Sequence, residues 1–259
     1  MGYTLLSILF LVALFSAMVL LLEAGRWIGA RRMAVDLEGA KAGHGAVVGV
    51  VFSLLSLLLA FTFSGAASRF EARRQAAIQE VNTLSKVYYL LDLFPEPTQA
   101  KLKDSFRMYL DAELQGIKAL PDVRAAKRAY SRSSALKRDI QNQVIGACRN
   151  PSDQGIGDYV LLPAINEWIA NSADRIVAAN THPPFAIYVV LVGLALVSSL
   201  IAGYAMAEAK DRSLLHIVVF AAVISVTIYT IVDLEFPRIG FIRINDTDRL
   251  LVELRKKMG

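Results

Sequence analysis

The chain has 259 residues, a net charge of +5 and a hydrophobic content of 55%. Soluble domains usually contain about 45–50% apolar residues, and here the excess is concentrated in a few runs, which argues against an ordinary soluble fold. The single cysteine excludes an internal disulfide, and the three widely separated histidines lack the ligand spacing of a zinc site.

Four uncharged apolar runs predict four transmembrane helices. They cover residues 3–22, 46–63, 185–206 and 214–232. A bilayer core about 30 Å thick needs about 20 helical residues, and each run is close to that length. The first run has no preceding Lys or Arg and no clean small-x-small cleavage site, so we interpret it as a retained helix and not as a secretory signal.

The segment between the second and third runs is predicted to be helical. Apolar residues keep a three-to-four spacing from Ala77 to Leu91, and no proline intervenes before Pro95, so one long helix should continue out of the membrane. Further helices are predicted at about residues 97–120, 121–147 and 158–180. The sequence therefore predicts an all-α membrane protein with four parts: residues 1–64 with two spans, a helical domain at 65–183, residues 184–232 with two spans, and a C-terminal segment at 233–259.

The distribution of charged residues argues against a nucleic-acid partner, but it does not determine which side of the membrane the helical domain lies on. Residues 69–183 carry 16 Lys and Arg against 13 Asp and Glu, with no basic stripe with interleaved aromatics, so we expect no nucleic-acid partner. The basic run at 255–257 is interpreted as a solvated tail near anionic lipid. Six Lys and Arg lie near the span ends on each side, so the positive-inside rule does not decide the topology.

No enzyme constellation is recognisable. A nucleophile elbow, a phosphate loop, a His-x-x-x-His pair and a carboxylate pair are all lacking, so we expect no catalysis, cofactor or metal. Gly45 and Gly49 lie in an apolar span, where glycines indicate close helix contact. Asp233 and Glu235 are two residues apart and do not share a helix face, which disfavours acid/base pairing.

The second span carries the most informative pattern. Gly45, Gly49, Ser53, Leu57 and Phe61 recur every four residues. Periodicity alone favours helix packing through the small residues. The alternative is a pore wall, in which small and polar side chains line wide regions and Leu57 and Phe61 form a constriction that excludes water.

Two charged segments flank the spans, and each has two interpretations. After Ser64, the residues Arg69 and Arg73 share a helix face; they form either a solvated collar, which the sequence alone favours, or a cationic vestibule in a ring of subunits. After the fourth span, the segment of interest contains Glu235, Pro237, Gly240 and Asp246. It is either an anchoring turn packed on the helical domain, the interpretation we favour, or a gating or cation-binding loop.

Several motifs resemble one family. Residues 54–61 and 69–73 resemble the second span of bestrophins, where a Leu-rich helix ends at a Phe and continues to a Glu-x-Arg element. The chain is most similar to the bacterial bestrophin-like group, whose hallmarks look like residues 59–64, 69–74, 91–97 and 236–243.

The resemblance implies a homopentameric ion channel in the inner membrane. The second span would line the pore, with Phe61 matching the neck aromatic and Leu57 and Ser53 one and two turns earlier. The helical domain would be cytoplasmic, and the partners would be further copies of the chain, membrane lipid and small inorganic ions. Ser53 and Thr62 depart from the family pattern. The alternative function is a non-conducting membrane scaffold or regulator whose helical domain binds a partner.

Overall fold

A computed structural model describes residues 2–35, 44–120, 122–149, 157–208, 214–237, 242 and 245–259. Eight α-helices occupy these residues, and no strand occurs among them, which confirms the all-α prediction. They are α1 Gly2–Val35, α2 His44–Leu90, α3 Thr98–Ala119, α4 Val123–Cys148, α5 Leu162–Asn180, α6 Phe185–Met206, α7 Leu214–Glu235 and α8 Asn245–Lys257. A short 3₁₀ turn follows α2, and a turn of π-helix, Gly157–Leu161, leads into α5.

Four helices are long and apolar enough to cross a membrane, as predicted. The prediction of one continuous second helix is confirmed, because α2 runs unbroken for 47 residues. One helix extends beyond its predicted apolar run, and one helix was missed. Helix α1 continues to Val35, well beyond the apolar run, because charged side chains end a hydropathy run without ending a helix. Helix α8 was not predicted at all.

The chain divides into two compact units. The first comprises Met1–Ser68 and His182–Ile242, and the second comprises Arg69–Thr181 and Arg243–Gly259. The second unit begins four residues after the predicted start of the helical domain. The predicted C-terminal segment is shared, since its residues from Arg243 onwards belong with the helical unit.

In the first unit, α1 packs against α6 through glycines. A Cβ added to Gly203 would overlap the backbone of Leu22, and one added to Gly25 would overlap the backbone of Leu200. Small residues let two backbones approach this closely. The expected close contact at Gly45 and Gly49 was wrong within the chain, because a Cβ at either position has no neighbour within 4 Å.

The second unit has a conventional hydrophobic core. Phe106 and Tyr109 of α3 lie 5.3 and 5.0 Å from Trp168 of α5, measured between ring centroids. All three side chains are fully buried. Asp122 begins α4 as an N-cap, since its carboxylate accepts hydrogen bonds from the backbone N–H groups of Arg124 and Ala125.

Helix α8 belongs to this core. Leu251, Leu254 and Met258 are buried in it, and the carboxylate of Asp111 receives two hydrogen bonds from Arg255, at 2.7 and 3.1 Å. The interpretation of this end of the chain as a solvated tail was therefore wrong for Arg255. The physical reason is amphipathicity, since apolar residues three or four apart give α8 one face that packs on the core.

Candidate functional site

One face of α2 carries small and polar side chains that no other described residue covers. Ser53, Ser56, Ala60 and Ser64 are exposed on it, and the neighbouring Leu57 and Phe61 are 53% and 68% exposed. The opposite face packs within the first unit, where Leu55 is buried and the Phe52 ring contacts Phe220 at 5.7 Å. The helical period of 3.6 residues explains this division, because residues four apart lie on the same face.

The second span is buried least of the four. In its most apolar 18-residue stretch, 6% of the residues are buried, against 28% in the third and fourth spans. Exposed serines are unusual on a surface that faces only lipid, since hydrocarbon gives a hydroxyl no partner beyond its own helix. The face bearing Ser53 and Ser64 is therefore suited to water or to further copies of the chain.

Thr62 follows Phe61 at the position where the sequence departs from the bestrophin pattern. Its hydroxyl donates to the carbonyl oxygens of Leu58, at 2.7 Å, and Leu59, at 3.1 Å. These bonds within α2 satisfy the hydroxyl locally. Thr62 thus brings neither a charge nor an unsatisfied donor to this part of the helix.

The residues that follow the second span, Ser64, Arg69 and Arg73, differ in their exposure to solvent. Ser64 is exposed and Arg69 is half-buried, whereas Arg73 is buried. The guanidinium of Arg73 donates to the carbonyl oxygens of Ala178, at 3.1 Å, and Thr181, at 2.7 Å, at the C-terminal end of α5. A cation there satisfies the last carbonyls and opposes the negative end of the helix dipole. Arg73 consequently supports the end of α5, and its charge is not presented to solvent.

The segment after the fourth span is held by buried carboxylates of the first unit. Glu235 is fully buried, and its Oε2 atom lies 3.6 Å from Nδ1 of His182, whose ring stacks on Phe236 at 4.9 Å. The Asp233 carboxylate accepts a hydrogen bond of 2.8 Å from the backbone N–H of Ile242.

Pro237 is buried next to this cluster. Gly240 and the side chain of Asp246, which the sequence also associated with this segment, lie outside the described residues. Sequence reasoning considered Asp233 for acid/base pairing alone and missed its hydrogen bond with the backbone of Ile242. The bond joins residues nine positions apart, so no local turn pattern indicates it.

A buried ion cluster in the second unit was missed from the sequence. Arg175 of α5 forms ion pairs with Glu80 of α2 and with Glu113 of α3, the latter at 3.0 Å. The carboxylate of Glu80 also accepts from the Tyr109 hydroxyl at 3.2 Å, and that of Glu113 accepts from Ser133 at 2.6 Å. These positions are far apart in the sequence, so only the packing of helices reveals the cluster.

Burial and the neighbouring charges shift the pKa values of the residues in this cluster. Burial, followed by the negative charges of Glu113 and Glu80, raises the pKa of Tyr109 well above its usual range. Burial lowers the pKa of Arg175, but the two carboxylates outweigh this and raise it overall. Burial lowers the pKa of Lys137, whose ammonium lies 5.5 Å from the ring centres of both Tyr109 and Trp168. The charges are thus largely compensated, which is how a protein tolerates buried ions.

The described residues contain no group of three His, Cys, Asp or Glu side chains arranged to hold a metal ion. The candidate site is therefore the uncovered face of α2, with the collar that follows it.

Comparison with known proteins gives the family. The model of the bestrophin-like domain matches residues 10–248, most of the chain. The chain belongs to the bestrophin-like family. Among curated proteins, none matches this bestrophin-like sequence.

Solved structures share the fold of this bestrophin-like chain. A tryptophan-to-alanine mutant of a bacterial bestrophin homologue from Klebsiella pneumoniae matches with a TM-score of 0.66 and 12% identity, over 95% of this chain and 98% of that one. A leucine-to-threonine mutant of the homologue matches with a TM-score of 0.65 and 14% identity, over 94% and 98%. At these identities the likeness establishes the fold alone.

Proposed function

We propose that this protein is an ion channel in which copies of α2 surround the pore. One observation carries the proposal: the face of α2 with Ser53, Leu57 and Phe61 is uncovered although it holds exposed serines. Copies of the chain arranged in a ring, as expected for a pentamer, would enclose that face around water. Leu57 and Phe61 then form the hydrophobic neck, and Ser53 lines the wider region one turn before it.

The collar and the segment after the fourth span complete the proposed pathway. Ser64 and Arg69 line the vestibule, while Arg73 supports it from behind through the end of α5. Glu235 and Pro237 act in gating by setting the position of the end of the fourth span, and we propose the same role for Gly240 and Asp246. We propose an inner-membrane location with the helical unit on the cytoplasmic side, and the resemblance to the family supports this proposal.

Flux through reconstituted protein tests this function. Liposomes containing the wild type should pass at least one of chloride, sodium and potassium, each measured separately. Phe61→Ala should raise the conductance several-fold, because it removes the bulk that narrows the neck.

Leu215→Ala is the matched control, since Leu215 is an apolar residue of the fourth span with 71% exposure and no place in the proposed pore. Its conductance should equal that of the wild type. Absence of flux for all three ions, or an equal change in both variants, would contradict the proposal and favour the scaffold function.

A further inference from the structure

Helix α4 exposes a row of positive charges, which we call the basic face. The basic face consists of the exposed cations on one side of α4 and at its C-cap. They are Arg124, Lys127, Arg128, Arg132, Arg138 and the C-cap residue Arg149. The buried side of the same helix is apolar, with Ala126, Ile140 and Val144. At a rise of 1.5 Å per residue the row extends over about 37 Å.

The described residues leave most of the charge of the basic face without a counter-charge. One carboxylate, Asp139, lies on the same face, and it accepts a hydrogen bond of 2.7 Å from Gln143. Within the described ranges, the charged side-chain groups of these six residues form no ion pair and no hydrogen bond. Their excess over Asp139 is as large as the net charge of +5 of the whole chain.

Two other cations of the second unit are paired. Lys86 pairs with Glu167 at 2.9 Å, and Arg107 pairs with Asp104 at 2.7 Å. The basic face differs from these two positions because it brings together, on one helix, six cations that are unpaired among the described residues. Like charges one turn apart on a helix repel one another, and a partner of opposite charge would relieve that repulsion.

The side chains between the cations define the chemistry of the partner. They are small or polar, as at Ser131, Ala135 and Asn142. None of the large apolar residues exposed by the described chain lies on α4, so the face has no group to insert into a membrane interface. It also has no exposed aromatic residue on which bases could stack.

We propose that the basic face of α4 is a docking surface for an acidic segment of a partner protein. From Arg124 to Arg132 the cations are three or four residues apart, a spacing that matches an acidic helix with carboxylates one turn apart. Arg138 and Arg149 extend the same face further along the helix. Complementary charge of this kind accelerates association and sets the register of the two surfaces. The proposal does not depend on conduction, because α4 belongs to the second unit and contributes nothing to the proposed pore.

Binding of a defined acidic peptide tests the proposal. The full chain is placed in nanodiscs of zwitterionic phosphatidylcholine and titrated against a fluorescent 25-residue helical peptide with glutamate at every fourth position. We expect binding that weakens steeply as salt is raised. The charge-reversing variant Arg128→Glu with Arg132→Glu should bind at least tenfold more weakly.

The matched control is Lys256→Glu with Lys257→Glu, which changes the net charge equally at two exposed positions of α8. Its affinity should stay within twofold of the wild type. An equal loss in both variants, or no binding by the wild type, would overturn the proposal. Binding of a 25-base-pair duplex or of anionic vesicles in place of the peptide would also overturn it. Unchanged thermal melting of both variants shows that folding is not the cause, and Arg128→Gln with Arg132→Gln replaces the first variant if its melting changes.

Discussion

Gly25 and Gly203 allow the backbones of α1 and α6 to touch. Since either added Cβ would overlap backbone atoms, which cannot rotate away, no other residue fits without separating the helices. The glycines at 45 and 49 look equivalent in the sequence but have open space around them. The sequence predicts that glycines in the spans make close helix contacts. Only the structure shows that Gly25 and Gly203 make them and that Gly45 and Gly49 do not.

Gly203→Ala should destabilise the first unit by about 1–3 kcal/mol, the usual effect of overpacking a tight contact. The measurement is thermal unfolding in detergent. Gly193→Ala is the control on the same helix, because its Cβ would meet nothing within 4 Å. Equal melting temperatures for the two variants would contradict the close contact of α1 and α6.

The stability of the second unit depends on single residues in the ion cluster around Arg175. Arg175→Met should destabilise the second unit by about 3–5 kcal/mol, because it leaves the buried carboxylates of Glu80 and Glu113 without their cation. Lys86→Met breaks an exposed pair with Glu167 and should cost less than about 1 kcal/mol. Chemical denaturation of both variants checks the difference, and similar midpoints would show that the cluster is not a stabilising unit.

Among the elements, α2 was predictable and α8 was not. The continuity of α2 follows from apolar spacing and from the absence of proline before Pro95, both of which are local signals. Helix α8 is short and mostly polar, and it is stabilised as a helix by packing on a core that α2 and α3 supply. The apolar residues Leu251, Leu254 and Met258 were the available signal, but a spacing this short does not distinguish a docked helix from a tail.

Leu254→Ala should therefore destabilise the second unit by about 2–5 kcal/mol, as expected for a truncated core leucine. Lys256→Ala, at an exposed position of the same helix, should change the stability by less than about 0.5 kcal/mol. Proteolysis at the C-terminus reports the same difference, since an undocked α8 is cleaved faster. Equal cleavage rates would mean that α8 is not part of the core.

At the scale of the whole molecule, the sequence indicates α2 as the candidate pore helix. It leaves two interpretations of the residues that recur every four positions from Gly45 to Phe61, which are helix packing and a pore wall. The structure disfavours packing within one chain, because the stripe from Gly45 to Phe61 has little protein against it. The sequence could not make this distinction, since small residues serve helix contacts and pore walls equally. The remaining choice is between a ring of copies around water and a surface that faces lipid.

Accessibility of α2 from water tests that choice most directly. Cysteine is introduced singly at positions 53, 57 and 61 in a Cys148→Ala background, with Leu55→Cys as the buried control. A charged, membrane-impermeant thiol reagent is then added while ion flux is recorded. Our account predicts that the reagent blocks flux at all three positions and leaves the Leu55→Cys variant unchanged. Flux that continues in all four variants would contradict a pore lined by this face of α2.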